Sequence, residues 1–166
     1  MAILVGIPVL ALAVILQSTV FSRVALLNGT VDVVLIVIAS WSLNDRVEDE
    51  WVWALMAGSM VGFVSAIPFW TPILVFLLVT AIGVYLKRRV WQIPVLALFV
   101  TIFFGTLILH SLSIAVLSVV QAPVPLGEAF NLIILPGLLL NLLAAIPIHG
   151  VVREIAAWLY PKEIEE

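Results

Sequence analysis

The stretch IPVLALFVTIFFGTLILHSLSIAVLSVV, residues 93–120, contains no charged side chain, and it decides the class of fold. A bilayer core about 30 Å thick needs roughly 20 apolar residues in a helix, which satisfies its own backbone hydrogen bonds in lipid. Because this stretch exceeds that length, we expect a transmembrane helix that is tilted or is kinked near Gly105. The chain is therefore predicted to be an integral membrane protein.

The composition of the whole chain agrees with this prediction. Hydrophobic residues make up 64% and charged residues 10% of the 166 residues, against roughly 45–50% and 25% in soluble domains. The net charge of −3 gives no reason to expect nucleic-acid binding. Cysteine is absent, which excludes disulfides, thiolate metal sites and cysteine nucleophiles. We expect a single integral membrane domain over residues 1–166.

Further apolar stretches on both sides predict an all-α, polytopic protein with six transmembrane helices. The approximate spans are 2–21, 26–43, 51–66, 73–86, 93–120 and 128–151, with a short cytoplasmic tail at 153–166. The second span reaches full length only if its helix begins near Val24 or the bilayer thins locally. The first span lacks the basic residues and cleavage site of a secretory signal, so we expect it to be retained.

The basic residues predict the orientation of the helices. Lysine and arginine occur at Arg23, Arg46, Lys87, Arg88, Arg89, Arg153 and Lys162. With six spans, all of these except Arg23 fall on the same side of the membrane as both termini. The positive-inside bias then predicts that both termini and the loops at 44–50 and 87–89 face the cytoplasm.

The charged side of the membrane is expected to be simple. The acidic cluster at 48–50 is interpreted as a solvated loop, and the basic triplet at 87–89 as an anchor to anionic lipid headgroups. Trp51 and Trp53 are expected at headgroup depth. The uncharged prolyl segment 67–72 is expected to be a turn in the interface on the opposite side.

Polar side chains within the predicted spans are the first candidates for function. Asp32, at the outer start of the second helix, is interpreted as a helix cap, with a functional contact as the sharper alternative. His110 is expected to hydrogen-bond a neighbouring helix, because no second ionisable group is predicted at its depth. Gln17 and Asn141 are expected to join helices, unless they converge to bind a small polar ligand.

Glycines at a helical spacing predict one close contact between helices. Gly58 and Gly62 form a G-x-x-x-G pattern within the apolar third helix, so this helix is expected to pack closely on a neighbour, internal or in another protein. The two histidines, His110 and His149, fall far apart in sequence and predicted depth. No catalytic residue, cofactor-binding residue or metal ligand is therefore predicted.

Several short segments carry a resemblance to a known family. LQSTVF at 16–21 is followed by NGTVDVVL at 28–35, and a glycine-rich segment lies at 58–63. The predicted last helix contains Leu135-Pro136, Asn141 and Pro147. In order and spacing, over nearly the whole chain, these segments resemble MreD, the rod shape-determining membrane protein family.

The chain departs from the family pattern at two places. Val31 stands where the family usually has a proline before its acidic residue. An acidic residue often found at the outer end of the third helix is missing around 65–68. Any role that depends on this second carboxylate does not carry over to this chain.

The resemblance implies a non-enzymatic component of the bacterial elongation (rod) complex, in the plasma (inner) membrane, that supports peptidoglycan synthesis and cell shape. The implied partner is MreC, a single-span protein with a periplasmic β domain, with indirect links to RodA, a class B penicillin-binding protein and MreB. The implied fold resembles the six-helix S component of energy-coupling-factor transporters, so a vitamin-type substrate-capture subunit is the alternative function. Homodimerisation stays open. The candidate partner or helix-packing residues are Gln17, Asp32, Gly58, Gly62, Pro136, Asn141 and Pro147.

Overall fold

The computed structural model describes residues 2–20, 28–89, 93–120 and 126–161. These residues form helices and connecting segments with no β-strand among them, which confirms the all-α prediction for this part of the chain. The helices are α1 (Ala2–Thr19), α2 (Val33–Ser42), α3 (Glu50–Val64), α4 (Trp70–Arg89), α5 (Pro94–Val120), α6 (Leu126–Ala129) and α7 (Leu135–Leu159), with a π-helical turn (Phe130–Ile134) between the last two. Arg23 and Lys162, which contributed to the predicted orientation, lie outside the described residues.

Three helices are long and apolar enough to cross a membrane. They are Trp70–Arg89, Pro94–Val119 and the continuous helix Gly127–Leu159. The helices α1, α2 and α3 are also apolar but shorter. The ten residues of α2 extend about 15 Å, half the thickness of a bilayer core. These lengths and compositions suggest a membrane protein.

Helix α2 lies at the centre of the bundle. All ten of its residues are buried, and it contacts α1, α3, α4, α5 and α7. A helix that is apolar on every side lacks a face for water, so its stable place is among other helices. It begins at Val33 rather than near Val24, and the described residues just before it, 28–32, are not helical. We call residues 28–32 the entry segment.

The glycine pattern of α3 packs within the chain. A Cβ atom on Gly58 would lie 2.9 Å from the backbone nitrogen of Ile73, and one on Gly62 would lie 2.9 Å from the carbonyl oxygen of Phe69. Only glycine allows the two backbones to approach this closely. The neighbour on which α3 was predicted to pack therefore belongs to the same chain. It is α4, together with Phe69 just before that helix.

Helix α4 begins earlier than the sequence predicted. It starts at Trp70 instead of Ile73, so the second half of the expected prolyl turn is helical. Thr71 and Pro72 are buried in the bundle. A proline in the first turn of a helix costs little, because the N–H group it lacks would have no partner within the helix.

The end of the bundle that carries the loop at 44–50, the triplet at 87–89 and Arg153 is named the charged end. Here Lys87 Nζ donates hydrogen bonds to Glu50 Oε1 at 3.2 Å, to Asn44 O at 3.2 Å and to Val47 O at 3.4 Å. Glu50 is buried, so the prediction of a solvated acidic loop is wrong for this residue. An ammonium group has three N–H donors, and these contacts use all of them. The expectation of a headgroup anchor therefore does not hold for Lys87.

The aromatic residues of α3 divide between the surface and the interior. Trp53 is fully buried and stacks on Trp41, with 3.7 Å between ring centroids. Both indole N–H groups donate to the carboxylate of Asp49, each at 3.3 Å. Trp53 therefore fills space inside the bundle beside α2, so its ring is not available to lipid headgroups. Trp51 is exposed.

Candidate functional site

Polar side chains from separate parts of the chain meet beside the start of α2. We name them the polar cluster, and its members are Gln17 of α1, Asp32 of the entry segment, Thr106 and His110 of α5, and Asn141 of α7. Gln17, Thr106, His110 and Asn141 come from helices that are otherwise mainly apolar. The sequence singled out four of these residues, and the fold brings those four together.

The side chain of Asn141 makes three hydrogen bonds in the cluster. Its Oδ1 accepts a hydrogen bond from the Asp32 backbone N–H at 2.7 Å. Its Nδ2 donates to Thr106 Oγ1 at 3.0 Å and to Asp32 Oδ2 at 3.5 Å. A side-chain amide has one acceptor oxygen and two N–H donors, and here all three are engaged. Because Asn141 is also fully buried, its orientation is fixed by α5 and the entry segment.

Gln17 caps α2 from the neighbouring helix. Its Oε1 accepts a hydrogen bond from the Val34 backbone N–H at 3.1 Å, and its Nε2 donates to Asp32 Oδ1 at 3.4 Å. The first N–H groups of any helix lack an acceptor within that helix, so Val34 needs one from elsewhere. In a site away from water, the amide of Gln17 supplies it.

Asp32 does not have the capping role that the sequence favoured. It occupies the residue before α2, but its side chain makes no capping hydrogen bond. The carboxylate instead accepts hydrogen bonds from the amides of Gln17 and Asn141. The prediction of an Asp32 cap is therefore wrong, because Gln17 performs that function and the carboxylate turns toward α5 and α7.

His110 faces the same carboxylate. Its Nε2 lies 3.6 Å from Asp32 Oδ2, and the two side chains are 15% and 13% exposed. The expectation that no second ionisable group lies near His110 is wrong, because the non-helical entry segment brings Asp32 alongside α5. Gly137 makes room for the imidazole, since a Cβ atom there would lie 3.1 Å from His110 Nε2.

The π-helical turn before α7 also satisfies the backbone of the entry segment. Pro136 has no N–H group, so it cannot make the usual helical hydrogen bond to the carbonyl oxygen of Leu132. The backbone N–H of Asn28 donates to that oxygen at 3.0 Å. Gly29 packs directly on Pro136 and Gly137, where a Cβ atom would lie 2.8 Å from the carbonyl carbon of Pro136. The entry segment therefore lies tightly against α7.

This arrangement explains why polar residues occur here at all. Buried non-helical backbone needs other protein groups to satisfy its hydrogen bonds. The side-chain oxygen of Asn141 accepts a hydrogen bond from the Asp32 N–H, and that of Gln17 accepts one from the Val34 N–H. The carbonyl oxygen of Leu132 accepts one from the Asn28 N–H. The site is thus built to hold one particular main-chain path into α2.

Other candidate residues lie outside the polar cluster. Gly58 and Gly62 face α4, and Pro147 is an exposed residue within α7. Within the described ranges, no three histidine, aspartate or glutamate side chains come close enough to hold a metal ion. Sequence reasoning missed Thr106, whose only signal was that it precedes His110 by one helical turn. It also missed Gly29, three residues before Asp32 in a quoted segment, and Gly137, which directly follows Pro136.

No protein-family model matches the sequence, and no curated protein or solved structure matches it.

Proposed function

We propose that this chain is a non-enzymatic, MreD-like membrane scaffold of the bacterial elongation complex. In this function it binds an MreC-like single-span protein and supports peptidoglycan synthesis and cell shape, with indirect links to RodA, a class B penicillin-binding protein and MreB. One observation carries the proposal. Gln17, Asp32 and Asn141 come from separate segments on which the resemblance rests, and they meet in the polar cluster, while Pro136 packs on Gly29 of the entry segment.

The proposal includes six spans in the bacterial plasma membrane, with both termini in the cytoplasm and a fold like that of the S components. The order of the helix ends supports it. Helix α2 starts at the polar cluster and ends beside the charged end, where α3 begins, α4 ends and α5 begins. Arg46, Lys87 and Arg153 line one cleft at the charged end, as the positive-inside bias requires if that end is cytoplasmic.

The bonding within the polar cluster favours a scaffold over a substrate-capture subunit. A subunit that captures a vitamin needs polar groups turned toward an open cavity. Here the amide groups of Gln17 and Asn141 bond to Asp32, to Thr106 and to the backbone at the start of α2. These hydrogen bonds stabilise the fold of the chain itself. A partner-binding surface needs such internal bonds if it is to keep a fixed shape.

Purification of the tagged full-length chain together with its membrane partners tests this proposal. The chain is expressed in a rod-shaped bacterium, extracted in mild detergent and captured, and the retained proteins are identified by mass spectrometry. We expect a single-span protein with a periplasmic β domain to be retained in near-stoichiometric amount. Light scattering on the same sample measures the mass of the complex and reports whether the chain forms a homodimer.

The same preparation also tests the alternative function. The partner-free chain is incubated with a panel of water-soluble vitamins, and the shift in its melting temperature is measured. Specific stabilisation by one vitamin, in a sample that retains no single-span protein, contradicts the scaffold proposal and favours substrate capture. Retention of the partner without such a shift supports the scaffold.

A further inference from the structure

A cleft of about 560 Å³ lies at the charged end, where α5 and α7 meet the loop after α2. Arg46, His149 and Arg153 line its polar part, and Val95, Ala97 and Ala157 contribute apolar atoms. The lining therefore contains cationic side chains in its polar part and hydrocarbon in another part. An amphipathic anion is the chemical class that fits both.

The arginines of this cleft have free donors, whereas its lysine does not. Lys87 also lines the cleft, but its three N–H groups are engaged by Glu50, Asn44 and Val47. Arg46 gives one hydrogen bond, from Nη1 to the carbonyl oxygen of Tyr160 at 3.4 Å. A guanidinium has five N–H donors, so most of those of Arg46 stay available.

The charge of Arg153 and the imidazole of His149 also face the cleft. Arg153 lies 3.8 Å from Glu154, and both side chains are largely exposed. Such a surface ion pair contributes little to stability, so Arg153 can readily exchange Glu154 for another anion. His149 Nδ1 is buried with no hydrogen-bond partner among the described residues. Asp45 and Glu154 line the cleft as well, each next in sequence to one of its arginines, so an anion would be bound by the free guanidinium donors and not by a net positive charge.

An apolar groove continues from this cleft along the same two helices. It has a volume of about 550 Å³ and is lined by Phe99 and Phe103 of α5 and by Leu139, Leu142 and Ile146 of α7, among others. The α7 residues that line the groove and the cleft follow one another at intervals of three or four, which places them on one face of the helix. They are Leu139, Leu142, Ile146, His149, Arg153 and Ala157.

The dimensions of this face match one leaflet of a bilayer. At 1.5 Å per residue, the distance along α7 from Arg153 to Leu139 is about 21 Å. A leaflet with its headgroups is about 20–22 Å deep, half of a whole bilayer. A phosphate held at Arg153 would therefore have its acyl chain beside Leu139 and Ile146.

We propose that this seam between α5 and α7 is a binding site for an anionic phospholipid. The headgroup phosphate lies between Arg46 and Arg153 and accepts hydrogen bonds from both guanidinium groups, with His149 beside it. One acyl chain lies in the apolar groove. The site requires only that the chain lies in a bilayer, and it does not depend on the proposed scaffold function.

Native mass spectrometry of the delipidated full-length chain in detergent tests the site. Dioleoylphosphatidylglycerol, which is anionic, and dioleoylphosphatidylcholine, which is zwitterionic, are titrated separately. We expect the anionic lipid to bind on the order of tenfold more tightly, since each basic residue near the headgroup adds a favourable increment. The double variant Arg46→Gln/Arg153→Gln should lose this preference. Arg88→Gln, which removes one exposed charge outside the cleft, should keep it.

A second pair of variants tests the groove without altering any charge. Leu139→Trp partly fills it and should weaken binding of both lipids several-fold. Leu12→Trp changes an exposed leucine of α1, far from the groove in sequence and not part of its lining, and should leave binding unchanged. The melting temperature of each variant is measured first, so that a loss of binding is not confused with a loss of folding.

Three results would overturn the proposal. The first is equal binding of the two lipids, or an effect of Arg88→Gln as large as that of the double variant. The second is displacement of the anionic lipid by soluble glycerol phosphate at similar concentration, which would indicate a site for a free phosphate. The third comes from a photoreactive benzophenone side chain at Leu143, which also lines the groove. A protein adduct in native membranes, in place of a lipid adduct, would assign the groove to a partner's helix.

Discussion

The polar cluster and the charged end both bury a carboxylate, but they stabilise it by different means. Asp32 accepts hydrogen bonds from two neutral amides, those of Gln17 and Asn141. Glu50 is paired with the ammonium group of Lys87 at 3.2 Å. The two sites lie at opposite ends of the region around α2, and they carry out different structural tasks.

The two carboxylates are stabilised differently because their surroundings differ. At the charged end, the loop at 44–50 is partly exposed, so a lysine can reach Glu50 without crossing apolar surface. In the polar cluster the amides also accept hydrogen bonds from the backbone N–H groups of Asp32 and Val34, and an amide offers both an acceptor and donors. A neutral amide costs less to bury than an ammonium group. The polar cluster therefore fixes a main-chain path, whereas the charged end ties helix ends together.

Removal of the Lys87 ammonium should have the largest effect on stability. Lys87→Met leaves Glu50 buried without its cation, and loss of one partner of a buried pair costs about 3 kcal/mol or more. The measurement is the free energy of unfolding in mixed detergent micelles, followed by tryptophan fluorescence. Arg88→Met, at the neighbouring exposed position, should change it by less than about 0.5 kcal/mol. Similar values for the two variants would show that the Glu50 pair contributes nothing.

A methyl group at Gly29 should have the next largest effect. Gly29→Ala places a Cβ atom against the backbone of Pro136 and Gly137, and overpacking of this kind costs about 2–3 kcal/mol. Gly150→Ala is the matched control, because a Cβ atom there meets nothing within 4 Å. In the interior of α7 it should raise stability by about 0.5–1 kcal/mol. Opposite signs for the two variants are the expected result, and a neutral Gly29→Ala would contradict the tight contact with α7.

The contrast between the two sites also shows which features of the molecule a sequence can predict. Gln17, Asp32, His110 and Asn141 could be singled out because polar side chains are rare and costly in apolar helices. Their meeting point could not be predicted, since it depends on how α1, α5 and α7 pack around the entry segment and on where α2 begins after it. Val31 and Val33 give no local signal that separates the entry segment from α2.

The sequence prediction was wrong at the charged end for a different reason. A charge run next to an apolar helix is ordinarily solvated, and nothing local distinguishes Glu50 from Glu48. Only the position of Lys87, which the packing of α4 on α3 brings beside the loop, makes Glu50 a buried partner. The all-α class and the apolar helices needed no such information, because they follow from composition and length alone.

Replacement of Asn141 tests whether the polar cluster depends on neutral amides. Asn141→Leu keeps a similar volume but leaves the Asp32 N–H and Thr106 Oγ1 without their partner. Unsatisfied buried groups of this kind cost about 2 kcal/mol in unfolding free energy. Asn131→Leu, at an exposed position of the π-helical turn, serves as the control and should be close to neutral. Equal stability of both variants would show that water or another group replaces the amide.

The smallest effect is expected for Asp32→Asn, and it separates the two ways of stabilising a carboxylate. The substituted amide keeps one acceptor oxygen and loses the second, so one of two hydrogen bonds is lost at a cost of about 1 kcal/mol. Glu128→Gln removes an exposed charge from α6 and should leave the free energy of unfolding unchanged. If Asp32→Asn instead costs as much as Lys87→Met, the carboxylate is held by charge. The 3.6 Å contact with His110 is then an ion pair like that of Glu50.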